Sequence, residues 1–305
     1  MFAEVFSQVL ILMILVALGA MLSKTGILTE SGVRSITDMV LMTVTPCVII
    51  KSFVREFDAK ALKGLLISFL IAALVHIGFI VLSRIILHSK DISRERVLRL
   101  GVIFTNCGYM SLPLQEAILG ETGVFYGSSF IAIFNLFVWS YGIITISGDK
   151  KYLTPKKLVF NPGMIGLAVG LVIFLFSIPV PKIIYQPISF VASLNTPLPM
   201  IIIGYHLSKT DILKSIKDLQ CLLASLVRML LLPSVAIALM YLCRVRGDML
   251  VSAAISCSAP TAAITTMFAS KFGGDTELSV NMVSLTTIMS LLTMPLMITA
   301  AQMIA

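Results

Sequence analysis

The stretch IFTNCGYMSLPLQEAILG, Ile103–Gly120, has apolar ends and a polar, helix-breaking centre. That centre carries Asn106, Gly108, Ser111 and Pro113. Proline lacks a backbone N–H and clashes with the carbonyl four residues earlier, and a buried amide side chain is costly unless it finds partners. We therefore expect an interrupted helix here, in which the polar groups serve a function.

The composition around this stretch is that of an integral membrane protein. The chain has 305 residues, of which 58% are hydrophobic and 12% charged, and its mean hydropathy is +1.01. Soluble domains contain about 25% charged residues. The first apolar run, 6–23, lacks a basic leader and a small-residue cleavage site, so we expect a retained span rather than a signal peptide.

Charge and cysteine usage indicate neither a nucleic-acid partner nor a metal or other cofactor. The net charge of +8 is explained by cytoplasmic loops of a membrane protein. The cysteines number five and have neither the spacing of a metal site nor that of a disulfide framework. They are Cys47, Cys107, Cys221, Cys243 and Cys257.

Ten apolar segments are long enough to cross a hydrocarbon core of about 30 Å. Their runs are continuous and do not alternate, which predicts helices and an all-α membrane protein. We place the spans at 5–23, 33–53, 64–87, 97–119, 123–147, 162–179, 187–207, 219–243, 249–270 and 277–303.

The distribution of basic residues predicts that both termini lie outside the cell membrane. With that orientation, 15 of the 23 Lys and Arg residues fall in inner connections and 7 in outer ones. Cytoplasmic loops carry the excess of basic residues in membrane proteins. The longest polar connection, 148–161, would then be cytoplasmic.

Three pairs of short motifs, at nearly constant offset, predict an internal repeat. They match TVTPCVII with LNTPLPMIII, MSLPLQ with CSAPTA, and GETGVF with GDTELS, and the second match pairs Pro113 with Pro260. The halves 1–147 and 162–305 would be inverted five-helix repeats with breaks in spans 4 and 9, as in secondary transporters. The alternative is that Pro and Gly are simply common in membrane helices.

With these breaks in view, the chain resembles the auxin efflux carrier family, which includes plant auxin exporters and bacterial permeases for malate and malonate. The resemblance rests on three segments: NCGYMSLPL with Asn106 and Pro113, LVRMLLLP with Arg228, and SCSAPTAAITTMFASKFGGD with Pro260. The long cytoplasmic insertion of many plant members is absent, so the chain is similar to the compact bacterial members.

The resemblance implies a fold shared with bile-acid symporters and sodium–proton antiporters. Spans 4 and 9 would cross as broken helices within a mobile transport domain of spans 3–5 and 8–10. Spans 1, 2, 6 and 7 would form a scaffold that commonly makes a homodimer in the lipid membrane. The implied function is secondary active transport of a small organic anion by an elevator-type movement. A sodium-coupled carrier like the bile-acid symporters is the alternative, and a channel or receptor is a more distant one.

The two breaks suit an anion because they leave helix N-termini inside the membrane. We expect half-helices to begin near Leu112 and near Ala259–Pro260, with unpaired N–H groups and the positive ends of their dipoles facing the substrate. Asn106 can donate to a carboxylate or accept from a water, and Gly108 lets a ligand approach the backbone. The secondary donors are Ser111, Ser256, Ser258 and Thr261, although such residues often bond their own backbone instead.

Arg228 lies deep in span 8, where a charge is expensive and normally faces protein or water. Two roles are open for this guanidinium. It would either attract the anionic substrate or hold the carbonyls at a helix break as a structural strut, and we favour the second.

Two acids are the candidates for coupling transport to a proton or sodium ion. Asp38 follows Arg34 by one helical turn, so an ion pair between them is its alternative role. Glu116 follows Pro113 and would either carry a proton or stabilise a helix N-terminus. His76 and His206 are expected to be packed and hydrogen-bonded. We find no catalytic motif such as His-Glu-x-x-His or Gly-x-Ser-x-Gly, so we do not expect an enzyme.

Overall fold

The computed structural model describes residues 2–153, 161–210 and 212–305. Within them the chain is helical and forms no strand. Residues 154–160 of the predicted cytoplasmic loop 148–161 lie outside that description. The helices are α1 Phe2–Lys24, α2 Glu30–Phe53, α3 Ala59–Ile86, α4 Ile92–Ile103, α5 Cys107–Ser147, α6 Pro162–Leu175, α7 Lys182–Ser193, α8 Pro197–Leu207, α9 Ile212–Lys217, α10 Leu219–Leu242, α11 Gly247–Ser258, α12 Ile264–Phe272 and α13 Thr276–Ile304.

Among the described residues, seven helical stretches are long and apolar enough to cross a membrane. They are α1, α2, α3, α5, the combined stretch Lys182–Leu207, α10 and α13, and α6 is a shorter apolar helix. Apolar side chains one turn apart face outward on α3, where Leu66, Leu70 and Leu74 are each more than half exposed. The chain is therefore an all-helical, multi-pass membrane protein, as its composition predicts.

Three prolines inside helices are preceded by a wider, π-helical turn. These turns are Val40–Val44 before Pro46, Cys107–Ser111 before Pro113, and Val227–Leu231 before Pro233. A π turn relieves the clash between the proline ring and the preceding turn of helix. The prediction that Pro113 itself breaks the helix was therefore wrong. The helical path stops at Ile103 and resumes at Cys107, well before that proline.

Gly120 divides α5 into two parts with different directions. Its backbone angles, φ 63° and ψ −154°, are not helical, and an L side chain rarely adopts them. The chain therefore turns sharply between 107–119 and 121–147. This bend lets Gln115 from the first part of α5 pack against Gly123 and Gly127 from the second.

Two glycines allow α1 and α8 to cross at close range. A Cβ atom added to Gly19 would lie 2.2 Å from the backbone oxygen of Ile201, and one added to Gly204 would lie 2.0 Å from that of Val16. Small residues allow such close approach between membrane helices, where packing rather than hydrophobic burial drives association. The two glycines thus join α1 and α8 into one rigid pair.

Enlarging Gly204 should separate this pair. We expect Gly204→Leu to lower the free energy of unfolding by about 1–3 kcal/mol or more, because backbone atoms cannot move aside for the new side chain. The measurement is the thermal midpoint of the detergent-solubilised protein. Gly78→Leu is the matched control, since an added Cβ at Gly78 on α3 meets no atom within 4 Å. Equal midpoints for the two variants would contradict this account of the crossing.

An arginine ties α4 to the starts of α10 and α13. Arg94 donates to Asp218 and to Asp275, the residues whose carboxylates cap α10 and α13. Burial works to raise the pKa of Asp218, but the hydrogen bond from Arg94 and those from backbone N–H groups outweigh it and hold that pKa below its ordinary value. The stabilisation from ionised Asp218 is therefore present at neutral pH and is lost as the pH falls through the lowered pKa.

Candidate functional site

Two non-helical segments meet inside the protein. The first, Phe104–Asn106, separates α4 from α5, and the second, Ala259–Ala263, separates α11 from α12. They hydrogen-bond to each other as a short antiparallel bridge. Its contacts are the pairing of Thr105 with Thr261, the bond from Asn106 N–H to the Pro260 oxygen at 2.7 Å, and the bond from Ala262 N–H to the Phe104 oxygen at 2.9 Å.

A helix N-terminus follows each side of this bridge. Asn106 occupies the N-cap of α5 and Ala263 that of α12. The first N–H groups of a helix have no partner within it and carry a partial positive charge. The expected half-helix starts near Leu112 and Ala259–Pro260 are corrected to Cys107 and Ile264. Two helix N-termini nevertheless flank the bridge, although at α12 the N–H groups of Thr265 and Thr266 already donate to the oxygens of Ala262 and Ala263.

Asn106 is held by its backbone and leaves its side chain free. Its N–H binds Pro260 and its oxygen accepts from the Met110 N–H at 3.1 Å. The residue is 8% exposed, and its side chain forms no hydrogen bond with any residue that the structure describes. Open space lies next to Gly108, since an added Cβ there meets nothing within 4 Å. The start of α5 thus carries both an amide without a described partner and a glycine beside open space.

The four predicted hydroxyl donors differ in how much of their bonding capacity is used. Thr261 donates from Oγ1 to the Gly101 oxygen at 2.8 Å, and Ser256 accepts from Gln115 at 2.9 Å. Ser111 has a long contact of 3.4 Å with the Ile255 oxygen. Ser258 is fully buried, and its hydroxyl has no partner in the described part of the chain. The last two are therefore the freer hydroxyls.

Arg228 contacts the end of α11. Its side chain is fully buried, and Nη2 donates to the Cys257 oxygen at 2.7 Å and to the Ala259 oxygen at 2.6 Å. The guanidinium also lies over the ring of Phe79, 5.4 Å from the centroid. The last carbonyls of a helix lack partners and carry partial negative charge. Arg228 therefore neutralises the carbonyl end of α11 where the helix stops.

A cavity of about 250 Å³ opens beside the first part of α5. Pro113 and Glu116 line it from α5, Gln8 from α1, and Thr196 from the turn before α8. This volume approaches the size range of small-molecule sites. The structure thus places Pro113 and Glu116 at this cavity, and Asn106, Pro260 and Thr261 at the bridge.

Glu116 has a partner that was not predicted, and Asp38 lacks the one that was. Glu116 forms an ion pair with Lys51 on α2, with Oε1 2.8 Å from Nζ. Asp38 is exposed and does not pair with Arg34, which binds Glu30 at 3.2 Å instead. The prediction of an ion pair between Asp38 and Arg34 was therefore wrong. A glutamate one turn before an arginine can reach its guanidinium just as an aspartate one turn after it can, so the two acids compete for the same arginine.

Of the two histidines expected to be packed and hydrogen-bonded, His76 is the one that is buried with a hydrogen-bond partner. His76 is buried on α3, its Nδ1 lies 2.8 Å from the Ala72 oxygen, and its ring stacks on that of Phe137. His206 is exposed at the end of α8 and packs edge-on against Tyr205.

Sequence reasoning missed the most connected polar side chain of the region. Gln115 is fully buried, and its Nε2 donates to the Ser252 oxygen at 2.9 Å, to Ser252 Oγ at 3.1 Å and to Ser256 Oγ at 2.9 Å. These bonds join α5 to α11 directly behind the bridge. A buried glutamine within an apolar run was the available signal, but its partners lie 137 and 141 positions away along the chain.

The membrane-crossing helices define the class of protein, a polytopic membrane protein. The chain matches the sequence profile described as membrane transport protein over residues 4–298, nearly its whole length. It therefore belongs to this family, the auxin efflux carrier family, as the sequence motifs predict. It is a transport protein and not an enzyme.

Two archaeal proteins are similar to it over almost their entire length. An uncharacterized transporter of Methanothermobacter thermautotrophicus is 25% identical over 299 residues, which cover 94% of this chain and 95% of that protein. An uncharacterized transporter of Methanocaldococcus jannaschii is 24% identical over 298 residues, covering 94% and 96%.

Proposed function

We propose that this protein is a secondary active transporter of a small organic anion, a mono- or dicarboxylate, that binds where the two interrupted helices meet. The observation that carries the proposal is the bridge between Phe104–Asn106 and Ala259–Ala263, with a helix N-terminus on each side. Discontinuous helices whose N-termini point at an anionic group are a recurring substrate site in secondary transporters.

The groups around the bridge favour a negatively charged ligand. The N–H groups at the starts of α5 and α12 attract negative charge, and Asn106 adds a donor beside the open space at Gly108. Ser111 and Ser258 have hydroxyl capacity to spare. Two carbonyls occupy Nη2 of Arg228, which supports a structural role for this residue, whereas its buried Nε and Nη1 have no partner among the described residues and could still donate to an anion.

We further propose ten spans in two inverted repeats, 1–147 and 162–305, joined by a cytoplasmic loop 148–161. In this arrangement α4 with 107–119 forms one interrupted span, and α11 with α12 forms the other. The similar interruption at Thr105 and at Thr261 supports the repeat. The basic residues of the inner connections support an orientation with both termini outside.

An elevator-type movement would carry the site across the membrane. The scaffold would consist of α1, α2 and α6–α8, and the mobile part of α3–α5 and α10–α13. Part of the contact between them is an apolar cluster, which suits sliding. It is formed by α1 residues Val5, Val9, Leu12 and Val16 against Met110, Leu114, Val251, Ile255, Met294 and Ile298.

The scaffold would form a homodimer in the lipid bilayer, and the coupling ion would be a proton or sodium. We propose no other cofactor and no nucleic-acid partner. The test is uptake by proteoliposomes of labelled malate, malonate and an indole carboxylate under imposed proton, sodium and voltage gradients. Saturable uptake of at least one of these acids is expected. If no carboxylate enters under any gradient, the proposal is wrong.

The ion pair between Lys51 and Glu116 allows a test of the movement itself. Lys51 belongs to the proposed scaffold and Glu116 to the mobile part, so the pair must break when one slides past the other. A partly exposed pair is worth about 0.2–1 kcal/mol. We therefore expect Lys51→Met to change the uptake rate by about 1.5- to 5-fold.

Two further variants separate this role from proton coupling at Glu116. The exchange of charges, Lys51→Glu with Glu116→Lys, should return the rate toward wild type if the pair acts as a latch. If Glu116 carries the coupling proton, Glu116→Gln alone should abolish uptake driven by a pH gradient and spare exchange of labelled for unlabelled substrate, whereas Lys51→Met should not. Identical rates in all variants would exclude both roles.

A further inference from the structure

The fully buried Arg228 has more hydrogen-bond donors than the described residues have acceptors for it. Nη2 donates to the oxygens of Cys257 and Ala259, which uses two of the five N–H bonds of a guanidinium. The other three belong to Nε and Nη1, and both atoms are buried without a partner in the described part of the chain. Buried polar groups in proteins are nearly always hydrogen-bonded, so these N–H bonds need a further acceptor.

No carboxylate among the described residues balances the charge of Arg228. The ionisable side chains within electrostatic range of the guanidinium are the thiols of Cys107 and Cys257 and the imidazole of His76. None of these groups carries a negative charge at neutral pH in its ordinary state. The ring of Phe79, whose centroid lies 5.4 Å from Cζ, adds a weaker attraction. A buried ion is strongly disfavoured unless it is paired, so the guanidinium lacks a counter-charge.

The helix ends at the bridge do not supply that counter-charge. The end of α11, which Arg228 contacts, and the end of α4 each carry about half a negative elementary charge. The starts of α5 and α12, across the two interruptions, each carry about the same amount of positive charge. These four partial charges roughly cancel, so the region keeps the positive charge of Arg228.

Two nearby side chains bear on what the free donors bind. Ser258 lies between the two residues whose oxygens Arg228 contacts, and its buried hydroxyl has no partner among the described residues, so its proton is available. His76 offers an acceptor instead. Its Nδ1 lies 2.8 Å from the Ala72 oxygen and must donate to it, which leaves a lone pair on Nε2 of the neutral ring. Through a water, that lone pair would satisfy one N–H bond and leave the charge unbalanced.

We propose that Arg228 binds a small anionic group through Nε and Nη1 at the end of α11, beside the bridge. The anionic atoms accept the free N–H bonds, with Ser258 as a further donor, and balance the guanidinium charge. Two sources supply this chemistry, chloride from the medium and the carboxylate of a transported acid. The second source rests on the proposed function, whereas anion binding at Arg228 does not.

Occupancy of this site would stabilise the second interruption. Arg228 lies in the π turn Val227–Leu231 of α10 and holds the carbonyl end of α11, so it joins the two helices next to the bridge. An anion that binds the folded protein here and not the unfolded chain raises stability by mass action. The thermal midpoint therefore reports binding whether or not the anion is transported.

The test is the thermal midpoint of the detergent-solubilised protein in sodium methanesulfonate, whose anion is larger than chloride, as this salt is replaced by chloride or by malonate at constant ionic strength. We expect a saturable rise in the midpoint with at least one of the two anions. Arg228→Lys keeps the charge but loses the planar fork, so its half-saturating concentration should rise about tenfold or more, the factor that corresponds to one charge-assisted hydrogen bond.

Arg246→Met is the matched control. Arg246 also donates to two backbone oxygens, but it is exposed, so its removal should leave the anion response of the wild type unchanged. A response to chloride identifies the halide as a ligand, and a response to malonate alone identifies the carboxylate. No saturable response, or an unchanged half-saturating concentration in Arg228→Lys, would overturn the site and leave water as the acceptor. A chloride response that depends on Arg228, together with a failure to transport any carboxylate, would refute the proposed function and leave the anion site standing.

Discussion

Asn106→Ala should reduce carboxylate transport by about 10- to 100-fold and leave the protein's stability within about 0.5 kcal/mol of wild type. The expectation follows from how the residue is held. Its backbone makes the bridge to Pro260 and accepts from Met110, and alanine preserves both bonds. Its side chain bonds no described residue, so the mutation removes only a hydrogen bond to the substrate. A charge-assisted hydrogen bond of this kind is worth about 1.5–3 kcal/mol.

The measurement is initial uptake by proteoliposomes together with the thermal midpoint of the same preparation. Asn281→Ala is the control, because Asn281 is also an asparagine with 8% exposure but lies on α13, outside the bridge. It should transport at the wild-type rate. If Asn106→Ala transports as well as Asn281→Ala, the amide does not belong to the site.

Arg228→Met should destabilise the protein by about 2–4 kcal/mol. The methionine fills part of the space but leaves the oxygens of Cys257 and Ala259 without a donor in the interior, at about 1–3 kcal/mol each. Part of this loss is recovered because a buried charge no longer has to be desolvated. Hydrogen exchange should become faster in 257–264, where the helix stops, before any substrate is added.

Two further variants test whether the loss comes from the buried contacts of Arg228. Arg246→Met also removes an arginine that donates to two backbone oxygens, those of Tyr241 and Val245, but Arg246 is exposed and its loss should cost less than about 0.5 kcal/mol. Arg228→Lys keeps the charge and should recover part of the stability. A variant Arg228→Met with wild-type stability and a raised KM would instead assign Arg228 to the substrate.

The sequence predicts much of this fold because its signals are local. Long apolar runs predict membrane helices, and a cluster such as Asn106, Gly108 and Ser111 predicts an interruption within the span that contains it. Arg228, isolated in an apolar run, could be assigned to helix-end carbonyls because a charge at that depth needs protein partners. The structure does place its guanidinium on the carbonyls of α11.

Other features depend on geometry that one sequence does not encode locally. Pro113 was expected to end a helix, but a π turn absorbs its clash and moves the interruption to Phe104–Asn106. The pairing of Arg34 with Glu30 instead of Asp38 depends on which of two equally spaced acids the side chain reaches. Gln115 meets Ser252 only because the bend at Gly120 brings distant segments together.

The most direct measurement of the central claim is protection of the bridge region from a thiol reagent by substrate. In Gly108→Cys the new thiol faces open space, and the native Cys243, which is exposed and distant in sequence, serves as the internal reference. Modification at each position is followed by mass spectrometry while the transported carboxylate is titrated. We predict that the carboxylate slows labelling at position 108 over the concentration range that saturates transport and leaves the labelling of Cys243 unchanged. Labelling at 108 that is unchanged by saturating carboxylate would contradict it.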